Sequence, residues 1–200
     1  MQDARHKMQE AKRNTRAPVR QDTRCKTQDT GCRIQDTLRI NTDKRGVAMK
    51  QRIYIDTSVI GGCLDEEFME YSIQLFDEFI SGKKKAVISD VLLFELEGAS
   101  KEIKNILKKV SNDNIEYVSL SEEAVKLANA YIKEGAVAEK SLSDARHIAI
   151  ATVERVDVLV SWNFKHIVNI NRIHLLNSVN LKLGYQILEI RSPREALYGS

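Results

Sequence analysis

No stretch of the chain approaches the roughly 18 consecutive apolar residues that a membrane helix requires, so no membrane association is expected. The basic N-terminal stretch contains no apolar segment of the secretory kind, which points to the cytoplasm. Cysteine is scarce. Cys25, Cys32 and Cys63 are odd in number and lack C-x-x-C spacing, which argues against a disulfide framework or a structural zinc site and for free thiols. Neither G-x-G-x-x-G nor G-x-x-x-x-G-K-[ST] occurs, and Gly61-Gly62 alone is a weak signal for a nucleotide cradle. A phosphatase with an aspartyl nucleophile is disfavoured as well. It would want a second Asp two residues after the first, and Asp56 is followed at that distance by Ser58.

What is present suffices for one domain and something extra: 200 residues, 42% hydrophobic and 30% charged. The net charge of +3 hides a division. The first 50 residues carry thirteen Lys/Arg against six Asp/Glu, and the rest carry eighteen against twenty-two. Basicity that would suggest a nucleic-acid binder therefore belongs to the N-terminal segment, and the body is mildly acidic. In that segment Gln21-Asp22-Thr23, Gln28-Asp29-Thr30 and Gln35-Asp36-Thr37 recur every seven residues. No two heptad positions are regularly apolar, so a coiled coil has no seam to bury. With few large hydrophobic residues, 1–48 is expected to be a disordered basic extension and 49–200 the folded domain. The extension reads either as an arm that holds RNA or DNA through phosphates or, preferably, as a tandem repeat translated from upstream of a natural start at Met49.

From Met49 the pattern alternates between strand and helix periods. Strands are expected at Arg52–Asp56, Ala86–Ser89, Glu116–Ser119 and Val158–Ser161, with an edge strand at Gln186–Ile190. Helices are expected at Glu66–Ile80, from Asp90, through Lys101–Val110, at Ser121–Glu134 closed by Gly135, and at Ser143–Arg155. A tight exit leads from Asp56 toward Gly61-Gly62, and Pro193 starts a last short turn. Strands separated by helices predict an α/β fold, a central parallel sheet flanked by helices, with ligands at the carboxyl ends of its strands.

Four oxygen-bearing residues map to that edge. Asp56 ends the first strand, though an isolated Asp there also serves as a turn cap. Glu95 follows the second strand among apolar neighbours, where an ionised carboxylate needs a cation or donors. Asp144 stands where Ser141-x-x-Asp144 resembles a capping box, or, with Ser143 as cap, at the start of a helix whose dipole favours it. Asn163 follows the buried strand Val158–Ser161. Hard oxygen ligands on separate elements, without a Cys/His cluster, suit Mg²⁺ or Mn²⁺. Trp162 reads as a packing residue that closes the edge more readily than as a base-stacking platform, and His147 as a core or helix-face histidine.

From about Met49 to Tyr198 the chain resembles the PIN domain, and within it the VapC-like ribonuclease toxins. The matching pieces are Ile55-Asp56-Thr57-Ser58-Val59, the segment Ser89 to Leu96, Asp144-Ala145-x-His147-Ile148-Ala149, and Leu159 to His166; their order and spacing carry the resemblance. It implies a PIN-like three-layer fold and metal-dependent cleavage of RNA to 5′-phosphate and 3′-hydroxyl ends. Asp56, Glu95 and Asp144 then stand at the family's acidic positions as metal ligands, and Asn163 at a fourth position where many members have Asp. One negative charge less weakens a second metal site. Ser58 would orient water or substrate, and Lys165, His166 and Arg172 would contact phosphate. Lys83-Lys84-Lys85 and Lys101, Lys104, Lys108 and Lys109 are further candidate patches, against the ordinary reading of solvated charge. The resemblance also raises a neutralising antitoxin and a homodimer. The rival class is a catalytically silent PIN scaffold that docks RNA or protein.

Overall fold

The computed structural model describes residues 49–198. The expectations for residues 1–48, with Cys25 and Cys32, lie outside the described residues. Five strands form one sheet: β1 (Gln51–Ile55), β2 (Lys84–Ser89), β3 (Ile115–Val118), β4 (Val158–Val160) and β5 (Ile190–Arg191). Their order is β3-β2-β1-β4-β5 and every pairing is parallel. Eight helices connect or flank them: α1 (Thr57–Gly62), α2 (Met69–Ile80), α3 (Asp90–Glu95), α4 (Lys101–Lys108), α5 (Glu122–Lys133), α6 (Leu142–Val153), α7 (Ile170–Lys182) and α8 (Pro193–Tyr198). This is the expected α/β architecture.

Side chains alternate across each strand, and both faces are buried, which is why the strands read as nearly unbroken apolar runs. Tyr54, Val87, Leu159 and Ile190 join α5, α6 and α7 in one core. Ile53, Ile55, Ala86, Ile88, Val158 and Val160 join α1, α2 and α3 in the other. The chain runs outward from β1 through β2 to β3 with its helices on one face. It then crosses to β4, on the far side of β1, with helices on the opposite face. Right-handed crossovers require that change of face when the direction of travel reverses. The reversal leaves a crevice between the carboxyl ends of β1 and β4, where open sheets of this class bind ligands.

Local signals agree with most element ends. Ser121 caps α5 by accepting from the Ala124 amide at 3.1 Å, and Gly135, with φ +74°, ends it in the left-handed conformation that glycine tolerates. Ala124, Leu127, Ala128 and Tyr131 are buried as the helical period requires. Four segments differ from expectation, one of them Pro193–Tyr198, which is the helix α8 and not a turn. The sequence pattern does not predict α7, because its apolar periodicity is blurred: Ile170, Leu175 and Leu181 are exposed, while Asn180 is buried and accepts from the Tyr131 hydroxyl at 2.5 Å. The edge strand is confined to Ile190–Arg191, since Asn177 clamps Leu188 from both sides, donating to its carbonyl and accepting from its amide. The exit after Asp56 is not a simple turn but the helix α1.

Candidate functional site

Asp56 stands at the crevice. Ile55 is in register with Val160, so Asp56 meets Ser161 across the β1–β4 boundary, and the Ser161 hydroxyl donates to Asp56 Oδ2 at 2.6 Å. The Ser58 hydroxyl donates to Oδ1 at 2.5 Å, and the Val59 amide to the same oxygen at 3.3 Å, making Asp56 the cap of α1 as well. The carboxylate is 5% exposed. Burial pushes its pKa up, against the hydrogen bonds of Ser161 and Ser58. The turn-cap reading of Asp56 is realised in its bond from the Val59 amide.

Glu95 ends α3 and opens to solvent, contrary to the expectation of a carboxylate enclosed by apolar neighbours. Leu92 and Leu96 point inward, whereas Leu93 and Phe94 are exposed, because so short a helix at the sheet edge buries only one stripe. The anticipated donors are there. Thr57 and Ser143 hydroxyls and His147 Nε2, the last at 3.2 Å, engage its two oxygens. Burial works to raise the Glu95 carboxyl, but the bonds from His147, Ser143 and Thr57 together bring it down to about 2. His147 is buried, and its Nδ1 lies 2.7 Å from the Tyr54 hydroxyl, which in turn lies 2.7 Å from Ser89 Oγ. Ser89 caps α3 by accepting from the Leu92 amide. The chain Glu95–His147–Tyr54–Ser89 thus ties both ends of α3 to β1 and α6.

Asp144 lies in the first turn of α6. Ser141 occupies the cap position without a side-chain bond, so the capping box does not form. Asp144 Oδ1 instead accepts from Asn163 Nδ2 at 3.0 Å. Asn163 is fixed in turn: its amide donates to Ser161 Oγ at 2.9 Å and its Oδ1 accepts from the His166 amide at 3.0 Å.

The proposed phosphate contacts separate. Lys165 is exposed and His166 half-buried on the turn after β4. Arg172, on α7, donates through Nη1 to the Ala136 carbonyl at 2.8 Å and so braces the loop after α5. The Lys83–Lys85 run is not an open patch. Lys84 is buried, paired with Glu78 at 3.0 Å and donating to the Ala196 carbonyl at 2.7 Å, and Lys85 faces Glu116 at 3.8 Å. Cys63 is a free, buried thiol whose pKa burial raises to about 11.

The structure therefore brings these residues into two hydrogen-bonded groups, Asp56 with Ser58, Asn163 and Asp144 through Ser161, and Glu95 with Thr57, Ser143 and His147, which meet in sequence at the adjacent α6 residues Ser143 and Asp144. It adds Thr57, Ser143, His147 and Ser161, which sequence reasoning did not place there. A findable signal was Ser161, the first polar residue after a continuous apolar strand. Another was His147, three positions from Asp144 and so on the same side of its helix. In donor chemistry the carboxylates, hydroxyls and Asn163 amide suit a hard divalent cation, while His147 brings ring nitrogens that are taken up by Glu95 and Tyr54. Among the described residues no Lys or Arg pairs with Asp56, Glu95 or Asp144. The carboxylates are not gathered round one point: among the described residues no group of three or more His, Cys, Asp or Glu side chains is positioned to hold an ion. They are satisfied by neighbouring hydroxyls and the Asn163 amide.

No protein-family model matches the chain, and no curated protein sequence matches it. Among solved structures it is similar to FitAcB from Neisseria gonorrhoeae, with 14% identity, 71% of this chain and 98% of that chain covered, and a TM-score of 0.45. It is similar to DNA-bound VapBC from Salmonella typhimurium, with 17% identity, 72% and 99% covered, and a TM-score of 0.44. A third similar structure is the sarcin-ricin loop cleaving toxin VapC20 from Mycobacterium tuberculosis, with 12% identity, 57% and 92% covered, and a TM-score of 0.43.

Proposed function

We propose that this chain is a metal-dependent ribonuclease of the PIN type that hydrolyses RNA phosphodiester bonds. The observation that carries the reading is Asp56: a buried carboxylate at the sheet's crevice, with no cationic partner among the described residues and joined to Asp144 through Ser161 and Asn163. An uncompensated buried charge is costly to keep, and a site that receives a cation gives it a use.

Asp56, Glu95 and Asp144 would hold Mg²⁺ or Mn²⁺, exchanging hydroxyl contacts for the ion. When bound, the ion would supply water activation at neutral pH and neutralise charge on the phosphoryl oxygens. The chain's own residues do the rest. Ser58 and Ser161 hold Asp56 by both oxygens. Asn163 holds Asp144 and is itself anchored at three atoms. Thr57, Ser143 and His147 keep Glu95 ionised. Lys165, exposed, and His166, half-buried, on the turn that carries Asn163, would contact the phosphate backbone. The sequence resemblance adds the toxin role, an antitoxin partner and a homodimer to the same proposal.

The test is cleavage of an end-labelled mixed RNA pool by the full chain with Mg²⁺ or Mn²⁺. Cleavage abolished by EDTA and by Asp56→Asn is the expected result. RNA that is bound but left intact with every metal tried, unaffected by Asp56→Asn, sinks the nuclease reading and leaves a silent binding scaffold.

A further inference from the structure

An open cleft of about 460 Å³ lies between the start of α2, the turn after β4 and the start of α8. Its walls are aromatic. The chain has one Trp, six Tyr and five Phe, and four of those twelve, Phe68, Tyr71, Trp162 and Phe164, line this cleft. Trp162 is spent on architecture. One face stacks on Phe68 with centroids 4.5 Å apart, and its Nε1 donates to the buried Ser72 hydroxyl at 2.8 Å. Phe164 is different: tilted 55° to the indole at 5.9 Å, it leaves its ring 49% exposed. Arg194 lies over the Tyr71 ring at 5.6 Å on the opposite wall.

The segment Ser161-Trp162-Asn163-Phe164 alternates between two tasks. Ser161 and Asn163 turn to Asp56 and Asp144, while Trp162 and Phe164 turn to the cleft. The residues that hold the acids and those that line the cleft thus alternate along one short segment, so a nucleotide with its phosphate at the carboxylates would have its neighbouring base toward the cleft. Glu195, on the same wall, is tied to the Ser192 amide and hydroxyl at 2.8 and 2.7 Å; with Glu67 it sets two acids against the one cation, Arg194, that lines the cleft.

We propose that this cleft is a base-stacking subsite, in which Phe164 takes an unpaired nucleobase adjoining the scissile phosphate of single-stranded RNA, with Trp162 as the fixed wall behind it. The inference rests on the ribonuclease reading and names its substrate class. Duplex RNA keeps its base faces covered and is excluded, whereas stacking accepts any base.

Because Trp162 is the chain's one tryptophan, its emission reports occupancy of the cleft without any need for turnover. The full chain carrying Asp56→Asn, with Mg²⁺, is titrated with an oligoadenylate of about ten nucleotides, a length within ordinary single-strand sites. Saturable quenching is expected, weakened about tenfold or more by adding Phe164→Ala and restored by Phe164→Tyr. Duplex RNA, or an oligonucleotide stripped of its bases, is expected to leave the emission unmoved. Equal affinity with and without Phe164→Ala, or full quenching by the abasic strand, overturns the subsite. Cleavage by the Asp56-intact chain is followed in parallel. RNA cut with Trp162 unmoved overturns the subsite alone. Phe164-dependent quenching without any cutting upholds the subsite and overturns the nuclease, and neither binding nor cutting overturns both.

Discussion

The junction of α1 with Trp162 can be probed by one methyl group. A Cβ placed on Gly62 would lie 2.6 Å from Ser72 Oγ, 2.7 Å from Trp162 Nε1 and 2.9 Å from Trp162 Cδ1. It would enter the hydrogen bond between those two side chains. Overpacking of this kind costs about 1–3 kcal/mol, and leaving the buried Ser72 hydroxyl unpaired costs about 1–3 kcal/mol more. Alanine's better helix propensity returns up to about 1 kcal/mol. Gly62→Ala is therefore expected to destabilise the fold by roughly 1–6 kcal/mol, a fall in Tm of at least about 2 °C and centrally about 10 °C at this chain length. At Gly61, its neighbour, an added methyl would meet nothing within 4 Å, so Gly61→Ala is expected to be neutral or to stabilise by about 0.5–1 kcal/mol. Thermal unfolding by circular dichroism gives the stabilities. The emission maximum of Trp162 gives the local displacement, red-shifted in Gly62→Ala and unchanged in Gly61→Ala. If both variants match the wild type in Tm and emission, the close packing of α1 against Trp162 is wrong, and with it the fixed wall of the aromatic cleft.

Asp56→Asn is expected to abolish cleavage and yet raise Tm at pH 7. Burial lifts the folded pKa of Asp56 above its ordinary 3.8, so the stability linked to this group is complete below that value and lost as pH rises through the folded pKa. Tm measured against pH should show the variant's advantage shrinking toward pH 4, and a variant less stable than wild type at pH 7 refutes the sign. Glu95 runs the other way: held down at about 2, it supports the fold above its ordinary pKa and loses that support as pH falls toward 2, a loss that Glu95→Gln should remove from an acid unfolding curve. His147→Ala, which takes away a partner of both Glu95 and Tyr54, is expected to lower cleavage about 10–100-fold, the usual effect of losing an orienting partner behind a ligand; steady-state kinetics within threefold of wild type would deny it that role. Arg172→Ala should lower Tm, because its bond to the Ala136 carbonyl is lost, and leave the salt dependence of RNA binding unchanged. Lys165→Ala should leave Tm alone and reduce the salt slope by about one, and the opposite pattern would exchange their roles.

Much of the architecture is legible in the sequence because it is written in short-range patterns. Ile53-Tyr54-Ile55 and Val158-Leu159-Val160 read as buried strands, and Ser121 and Gly135 bracket α5 by their own backbone chemistry. α7 escapes because Asn180 occupies a buried position that its partners Tyr131 and Asn177 make tolerable. The Lys83–Lys85 run looks like a charged surface because sequence shows a lysine's charge and not the Ala196 carbonyl and Glu78 waiting for it.

The candidate site divides in the same way. The carboxylates Asp56, Glu95 and Asp144 could be named in advance because each sits beside a strand or helix end, and element ends are local features. Which groups satisfy them could not. Ser161 reaches Asp56 from 105 residues away, through the register of β1 against β4, and His147 meets Tyr54 from 93 residues away through the packing of α6 on the sheet. The sequence alone determined where the central strands end and that Asp56 and Asn163 stand just beyond them. Only the tertiary structure decided that Asp56 is buried, that Glu95 is not, and that Trp162 and Phe164 face a cleft while Ser161 and Asn163 face the acids. Those outcomes depend on how distant segments pack, and hydrophobic periodicity sets which face is buried without saying what lies against it.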